Sequence, residues 1–149
     1  MTRSKKLSVN NDSVVAFMPI KPIYAEKLIK GEKKYEFRKT AIRSDLSHII
    51  IYATSPVKKI IGIAEIKGIQ ESSPTATWDM TKHVAGISRK LFREYFKGKK
   101  TAYAIQIKEI YPFSRAIDPS EIENGFKIPQ SFSYVNTAFF RKVLRKGQG

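Results

Sequence analysis

A long strand interrupted by glycine restricts the possible folds of this chain more than any other feature of its sequence. Residues 57–69 predict one β-strand that contains Gly62 and Gly68. A glycine inside a strand allows the strand to bend or to form a bulge, as a small barrel requires. The segment therefore favours a curved sheet over a flat one.

Other segments rich in β-branched and aromatic residues predict further strands. These lie at residues 13–20, 33–38, 48–53 and 101–110, and Pro112 is expected to stop the pairing of the last. The alternation in residues 33–38 places Tyr35 and Phe37 on a core-facing side. Lys34, Glu36 and Arg38 then share the other side, which faces a surface or a cleft.

Helices are predicted between and after the strands. Pro22 suits the first turn of a helix that ends at Gly31. Ser88 is the expected N-cap of a second helix, and Asn136 that of a third. A polar connection begins at residues 72–75, residues 118–121 suggest a capped turn, and residues 126–134 have no regular pattern. A helix-turn-helix over residues 74–97 is disfavoured, because Pro74 and Gly86 suit an insertion better.

These elements predict an α+β fold: a small mixed β-barrel of five to six strands with two to four short helices inserted. The domain boundaries follow from composition. Residues 1–12 are expected to be a flexible basic tail, residues 13–135 the barrel, and residues 136–149 a basic C-terminal helix and tail.

Charge points to the class of partner. Lys and Arg total 28 against 13 Asp and Glu, a formal net charge of +15, so a polyanion such as nucleic acid is the expected partner. The chain has no cysteine and no apolar run of membrane-spanning length, which predicts a soluble, cytoplasmic protein that does not bind membranes. The scattered carboxylates and the isolated His48 and His83 predict neither a metal site nor a cofactor.

Residues 20–38 resemble the opening of ASCH domains, a family of PUA-like β-barrels. The family hallmark is a helix, a glycine, and then a lysine and an acid-x-Arg pattern on the following strand. Gly31, Lys33, Glu36 and Arg38 match it here. The resemblance continues in order through residues 52–57, 62–65, 86–88, 95–99, 103–105 and 125–134, and the later matches are similar to a larger subgroup.

The resemblance implies a PUA-like barrel with a cleft on one side and an RNA-related role, such as RNA processing, regulation of transcription or translation, or recognition of a base in a pocket. We therefore expect a nucleic-acid-binding domain that prefers RNA over DNA, with a protein partner as a further possibility. The residues expected to bind the nucleic acid are Lys21, Lys33, Glu36, Arg38, Tyr52, Ser55, Gln130, Ser131 and Tyr134. Arg141, Lys142, Arg145 and Lys146 are expected to form a basic surface on the last helix.

Two interpretations of the central residues stay open. Arg38 could hold a phosphate with Glu36 accepting from a base, or the two could form an ion pair that closes the barrel. Trp78 could stack on a base, but a place in the core is favoured.

Binding without catalysis is favoured, with a hydrolase as the alternative. Some small ASCH proteins resemble amidohydrolases, whose lysine is followed three residues later by a threonine; here Glu36 occupies that position and Thr40 lies outside it. A ribonuclease is the other form of this alternative. Lys33 and Arg38 would then stabilise the charge of the transition state, and Glu36 would act as the base.

Overall fold

The computed structural model describes residues 6, 7 and 9–149, which form one six-stranded sheet and four α-helices. The strands are β1 (Val15–Ile20), β2 (Tyr35–Arg38), β3 (His48–Ala53), β4 (Lys59–Ser72), β5 (Ala102–Ile117) and β6 (Ser133–Val135). The helices are α1 (Pro22–Ile29), α2 (Pro74–Thr81), α3 (Arg89–Tyr95) and α4 (Thr137–Gln148), and a 3₁₀ turn spans Pro119–Glu121.

The order of the strands across the sheet is β2-β5-β4-β3-β1-β6. The β1–β3 pair is parallel and every other pair is antiparallel, so the sheet is mixed. It curls into a half-barrel. The predicted α+β class, the strand number and the helix number are confirmed.

The glycines of β4 lie where the strand changes register. The pairing between β4 and β5 shifts between Ile60 and Gly62 and again between Ile66 and Gly68. At Gly62 a Cβ atom would lie 2.8 Å from the carbonyl oxygen of Tyr111, so a side chain does not fit between the two strands. The predicted bending of this strand at glycine is therefore confirmed.

The prediction that Pro112 stops the pairing of its strand is wrong. Strand β5 continues to Ile117, and Pro112 pairs with Gly62 on β4. A proline is tolerated here because it lies at a bulge, and because β2 pairs with β5 only as far as Gln106. In the part of the chain that the structure describes, strand β5 has no second neighbouring strand at Pro112, so no carbonyl group there lacks a partner because proline has no N–H.

Alternate residues of β1 and β3 enter two different cores, because both faces of these central strands are covered. Ala16, Met18 and Ile51 pack with Leu28 of α1 on one face. The opposite face carries Phe17 and Ile50, which pack with residues of α4; those residues are Phe139, Phe140, Val143 and Leu144. Helices α1 and α4 thus lie on opposite sides of the sheet.

A third core forms where α2 and α3 cover β2 and β5. Phe37 lies with its ring centroid 5.1 Å from that of Phe92, and Phe96 completes the cluster. Helix α2 was not predicted, since the segment has little apolar periodicity. It begins at Ser73, whose Oγ accepts a hydrogen bond from the Ala76 N–H at 3.1 Å.

The structure describes only part of the expected N-terminal tail. Residues 1–5 and 8 lie outside the described residues. Leu7 exchanges hydrogen bonds with the side-chain amide of Gln148, its N–H donating over 2.8 Å and its carbonyl accepting over 3.2 Å. Within the described residues, no helix has the length and apolar character that crossing a bilayer demands.

Candidate functional site beside strand β2

A cavity of about 620 Å³ lies between α1, α3 and the edge strand β2. Five of the predicted nucleic-acid-binding residues line it: Lys21, Lys33, Glu36, Arg38 and Gln130. Sequence positions that are far apart therefore meet in one place. We call this space the β2 cavity.

Lys33 is the most buried charged residue of the cavity, with 3% of its surface exposed. Its Nζ donates a hydrogen bond to the Ala85 carbonyl at 2.7 Å and lies 3.9 Å from Oε1 of Glu36. It also lies 4.5 Å from the ring centroid of Phe37, within the range of a cation–π contact. Gly86, at a φ of +68°, leaves room for the Lys33 side chain, because a Cβ atom at residue 86 would lie 2.5 Å from the Cβ of Lys33.

Burial lowers the pKa of the Lys33 ammonium group from 10.5 to about 8. The Glu36 carboxylate opposes this change, while the nearby Lys27 and Arg38 reinforce it. A fraction of the amine is therefore neutral near neutral pH, which is unusual for lysine. A strongly shifted group in a cleft is a typical feature of a functional site.

Glu36 lies between two cations. Its Oε2 accepts a hydrogen bond from Nη2 of Arg38 at 2.8 Å, while Oε1 faces Lys33. Both members of the Glu36–Arg38 pair are largely buried, with side chains 9% and 12% exposed. The result is a row of three charges, positive, negative and positive, along one wall of the cavity.

Arg38 also joins the two edges of the half-barrel. Its Nη2 donates to the Pro19 carbonyl at 3.0 Å, and its Nη1 donates to the Ser131 carbonyl at 3.4 Å. The expected ion pair that helps close the barrel is therefore present. Because the same side chain lines the β2 cavity, the two interpretations of this pair are compatible.

Two tyrosines of the cavity wall were missed by sequence reasoning. The Tyr95 hydroxyl donates to the Phe37 carbonyl at 3.4 Å, its ring lies 4.4 Å from Nζ of Lys39, and burial raises its pKa. The ring of Tyr24 on α1 lies 5.6 Å from Nζ of Lys33. Both tyrosines lie on helices, and no local pattern in the sequence marks either of them as part of a site.

Four predicted residues lie apart from the cavity lining. Tyr52 is buried in the α4-side core, 5.2 Å from the ring of Phe17, and Ser55 is exposed in the turn after β3, next to the lining residue Thr54. Ser131 contributes its carbonyl to Arg38. The Tyr134 hydroxyl accepts from the Arg43 N–H at 2.9 Å.

The basic surface of α4 also lies elsewhere. All four of its residues are exposed: Arg141, Lys142, Arg145 and Lys146. None of the four lines the β2 cavity, and their helix packs on the face of the sheet opposite α1. Among the residues that the structure describes, no three His, Asp or Glu side chains gather as metal ligands.

Comparison with known proteins agrees with this architecture. A protein of Zymomonas mobilis named as an ASCH domain-containing ribonuclease is 31% identical over 137 residues, which cover 89% of this chain and 92% of that protein. The crystal structure of an ASCH protein from the same organism superimposes with a TM-score of 0.82 at 30% identity, covering 88% of this chain and 94% of the other. Variants of it with one tyrosine changed to phenylalanine, or one serine changed to alanine, are also solved.

A more distant likeness concerns the fold alone. The N-terminal domain of McrB from Staphylothermus marinus superimposes with a TM-score of 0.61 at 12% identity, covering 96% of this chain and 98% of that domain.

The family model of the ASCH domain matches residues 18–113 of the present sequence. The resemblance noted in the sequence and the PUA-like fold that it implies are confirmed, and the chain belongs to the ASCH domain family.

Proposed function

We propose that this protein binds RNA in the β2 cavity and cleaves it. The similar Zymomonas protein carries the name of a ribonuclease, and the match extends over 92% of its length. The formal net charge of +15 supports a polyanionic ligand. A preference for RNA over DNA is part of this proposal, while the cytoplasmic location and a regulatory role stay predictions.

The row formed by Lys33, Glu36 and Arg38 carries the proposal. A buried lysine and a largely buried arginine lie on either side of a carboxylate, in a cavity large enough for a nucleotide. They provide both a base and positive charge at one point. Charge that develops on phosphoryl oxygens is stabilised strongly by fixed cations in a site from which water is excluded. A structural ion pair alone does not require the cavity beside it.

The reaction that fits these groups begins with the 2′-hydroxyl of the RNA. Glu36 accepts the proton of this hydroxyl while the 2′-oxygen bonds to phosphorus. The bond from phosphorus to the 5′-oxygen breaks, and that oxygen takes a proton from solvent. Lys33 and Arg38 stabilise the negative charge on the remaining phosphoryl oxygens. The products are a 2′,3′-cyclic phosphate and a 5′-hydroxyl.

Binding without cleavage is a second candidate, and one observation favours it. Each of the three charged side chains already has a partner inside the protein, since Lys33 bonds to Ala85 and Arg38 to Pro19. Charges that are paired in this way hold a cavity open for a base and a phosphate without taking part in a reaction. Lys21 and Gln130, which are exposed on the wall, would then make the contacts.

The test is cleavage of a labelled single-stranded RNA by the purified protein and by Glu36→Gln. Loss of the base should lower the rate by about 100-fold or more. Tyr95→Phe tests whether a hydroxyl group of the cavity wall takes part in the reaction, since Tyr95 lines the cavity. Lys67→Gln is a surface control, as it removes one exposed charge outside the cavity.

The outcomes separate the two candidates. Cleavage of RNA but not of the same DNA sequence, lost in Glu36→Gln and kept in Lys67→Gln, supports the ribonuclease. RNA that is bound but stays intact, with affinity reduced in Lys21→Ala and Gln130→Ala, supports the binding domain instead. A protein that neither binds nor cleaves RNA contradicts both.

A further inference from the structure

A second cavity, of about 230 Å³, opens between α2 and α3. We call it the α2–α3 pocket. Its lining residues include Trp78, Asp79, Arg89, Phe92, Arg93 and Lys99. Phe92 lines this pocket and the β2 cavity, so helix α3 is the wall between the two.

The charge of the pocket is unbalanced. Arg89, Arg93 and Lys99 are exposed, and within residues 6, 7 and 9–149 none of them has a hydrogen bond or an ion pair through its side chain. Asp79 is the one acid among the lining residues. Arg89 and Arg93 are four residues apart on the same helix, a spacing at which like charges repel each other. An anion bound between them removes this repulsion.

An aromatic ring accompanies these cations. Trp78 is the only tryptophan in the sequence. It is partly buried, with its ring centroid 5.2 Å from that of Phe92, and it also lines the pocket. Cations beside an aromatic surface are the usual arrangement for binding single-stranded nucleic acid, since the cations contact phosphate and the ring stacks on a base.

We propose that the α2–α3 pocket is a second nucleotide subsite. Arg89 and Arg93 hold a phosphate of the strand, and Trp78 stacks on the base of that nucleotide. The strand crosses α3, and another of its nucleotides occupies the β2 cavity. This inference rests on the proposed function, because it assigns to the pocket a neighbouring part of the same RNA.

The single tryptophan makes the pocket directly observable. We would titrate Glu36→Gln, which is expected to leave RNA intact, with a long single-stranded RNA and with a dinucleotide, and record tryptophan fluorescence. The long RNA should quench Trp78, while a dinucleotide that occupies only the β2 cavity should leave the fluorescence unchanged.

Charge variants on the same background test the phosphate contacts. Arg89→Gln/Arg93→Gln should weaken binding of the long RNA by about tenfold. The slope of log affinity against log salt should become about 0.7 less negative, because one phosphate contact of a single strand is lost. Lys67→Gln/Lys127→Gln removes two exposed charges away from both cavities and should have a smaller effect. Dinucleotide binding should be equal in both double variants.

The subsite would be overturned if long RNA left the fluorescence of Trp78 unchanged and bound the two double variants with equal affinity. If Glu36→Gln still abolishes cleavage in that case, the proposed function stands and only the subsite fails. If no RNA binds to any variant, both proposals fail.

Discussion

Nη2 of Arg38 donates a hydrogen bond to the Pro19 carbonyl oxygen at 3.0 Å, and so ties edge strand β2 to strand β1 across the open side of the half-barrel. The same nitrogen bonds to Glu36 at 2.8 Å inside the β2 cavity. One guanidinium group therefore contributes to the fold and to the site. Variants of Arg38 affect both, and activity must be interpreted together with stability.

Replacing Arg38 with alanine should destabilise the protein by roughly 2 kcal/mol, because a largely buried carboxylate and two carbonyl groups lose a donor. Arg38→Lys keeps the charge but not the planar guanidinium group, so its free energy of unfolding should lie between those of the wild type and Arg38→Ala. Urea denaturation measures the change, with Lys67→Ala as the surface control. An unfolding free energy that stays the same in Arg38→Ala would show that the bridge does not stabilise the half-barrel.

Lys33 should make stability depend on alkaline pH. Its pKa is about 8 in the folded protein against 10.5 as the ordinary value, so between these pH values the unfolded chain binds more protons. The contribution of this residue to stability is fully present above about pH 10.5 and is lost as pH falls through about 8. Its size is at most roughly 3–4 kcal/mol, at about 1.4 kcal/mol per pKa unit.

Other groups also titrate in this range, so the informative quantity is the difference in unfolding free energy between the wild type and Lys33→Met. The wild type should become more stable relative to Lys33→Met as pH rises from about 8 to about 10.5. A difference that is independent of pH would mean that the pKa of Lys33 is normal.

Gly86→Ala should displace Lys33 from its position. The backbone at Gly86 has a φ of +68°, and the added methyl group would lie 2.5 Å from the Cβ of Lys33. Strain and overpacking together should cost roughly 2–4 kcal/mol. Gly98→Ala is a matched control, because Gly98 also has a positive φ, +77°, but its Cβ would meet no atom within 4 Å. Equal losses of melting temperature in the two variants would show that only the backbone matters.

The basic surface of α4 should be dispensable for short RNA. The four-residue variant is Arg141→Gln/Lys142→Gln/Arg145→Gln/Lys146→Gln. None of these residues lines the β2 cavity or the α2–α3 pocket. The salt dependence of short-oligonucleotide binding should therefore match that of the wild type. A clearly flatter salt slope would place the ligand on α4 instead.

Much of the fold could be predicted because local patterns carry it. Asn136 caps α4 as expected, its Oδ1 accepting from the Phe139 N–H at 2.8 Å, and the capping box at Asp118 and Glu121 is present. Strand β5 was predicted too short, because the effect of Pro112 depends on a bulge in its neighbour. Tertiary pairing of this kind leaves no local signal.

The site was predictable where a family pattern marked it. Lys33, Glu36 and Arg38 lie on one short segment, and alternation along a strand was enough to place Glu36 and Arg38 together. Tyr24 and Tyr95 come from helices on either side of the cavity, and only the packing of α1 and α3 brings them to it. Tyr52 was also expected to bind the nucleic acid, but its side chain enters the α4-side core.

Cleavage in the β2 cavity is tested most directly with a DNA strand that contains a single ribonucleotide, with mass spectrometry of the products. The wild-type protein should cleave the strand at that position alone, with a 2′,3′-cyclic phosphate on one product and a 5′-hydroxyl on the other. Glu36→Gln should give no product. A strand that stays intact with the wild-type protein, or that is cut equally by Glu36→Gln, would contradict cleavage in the β2 cavity.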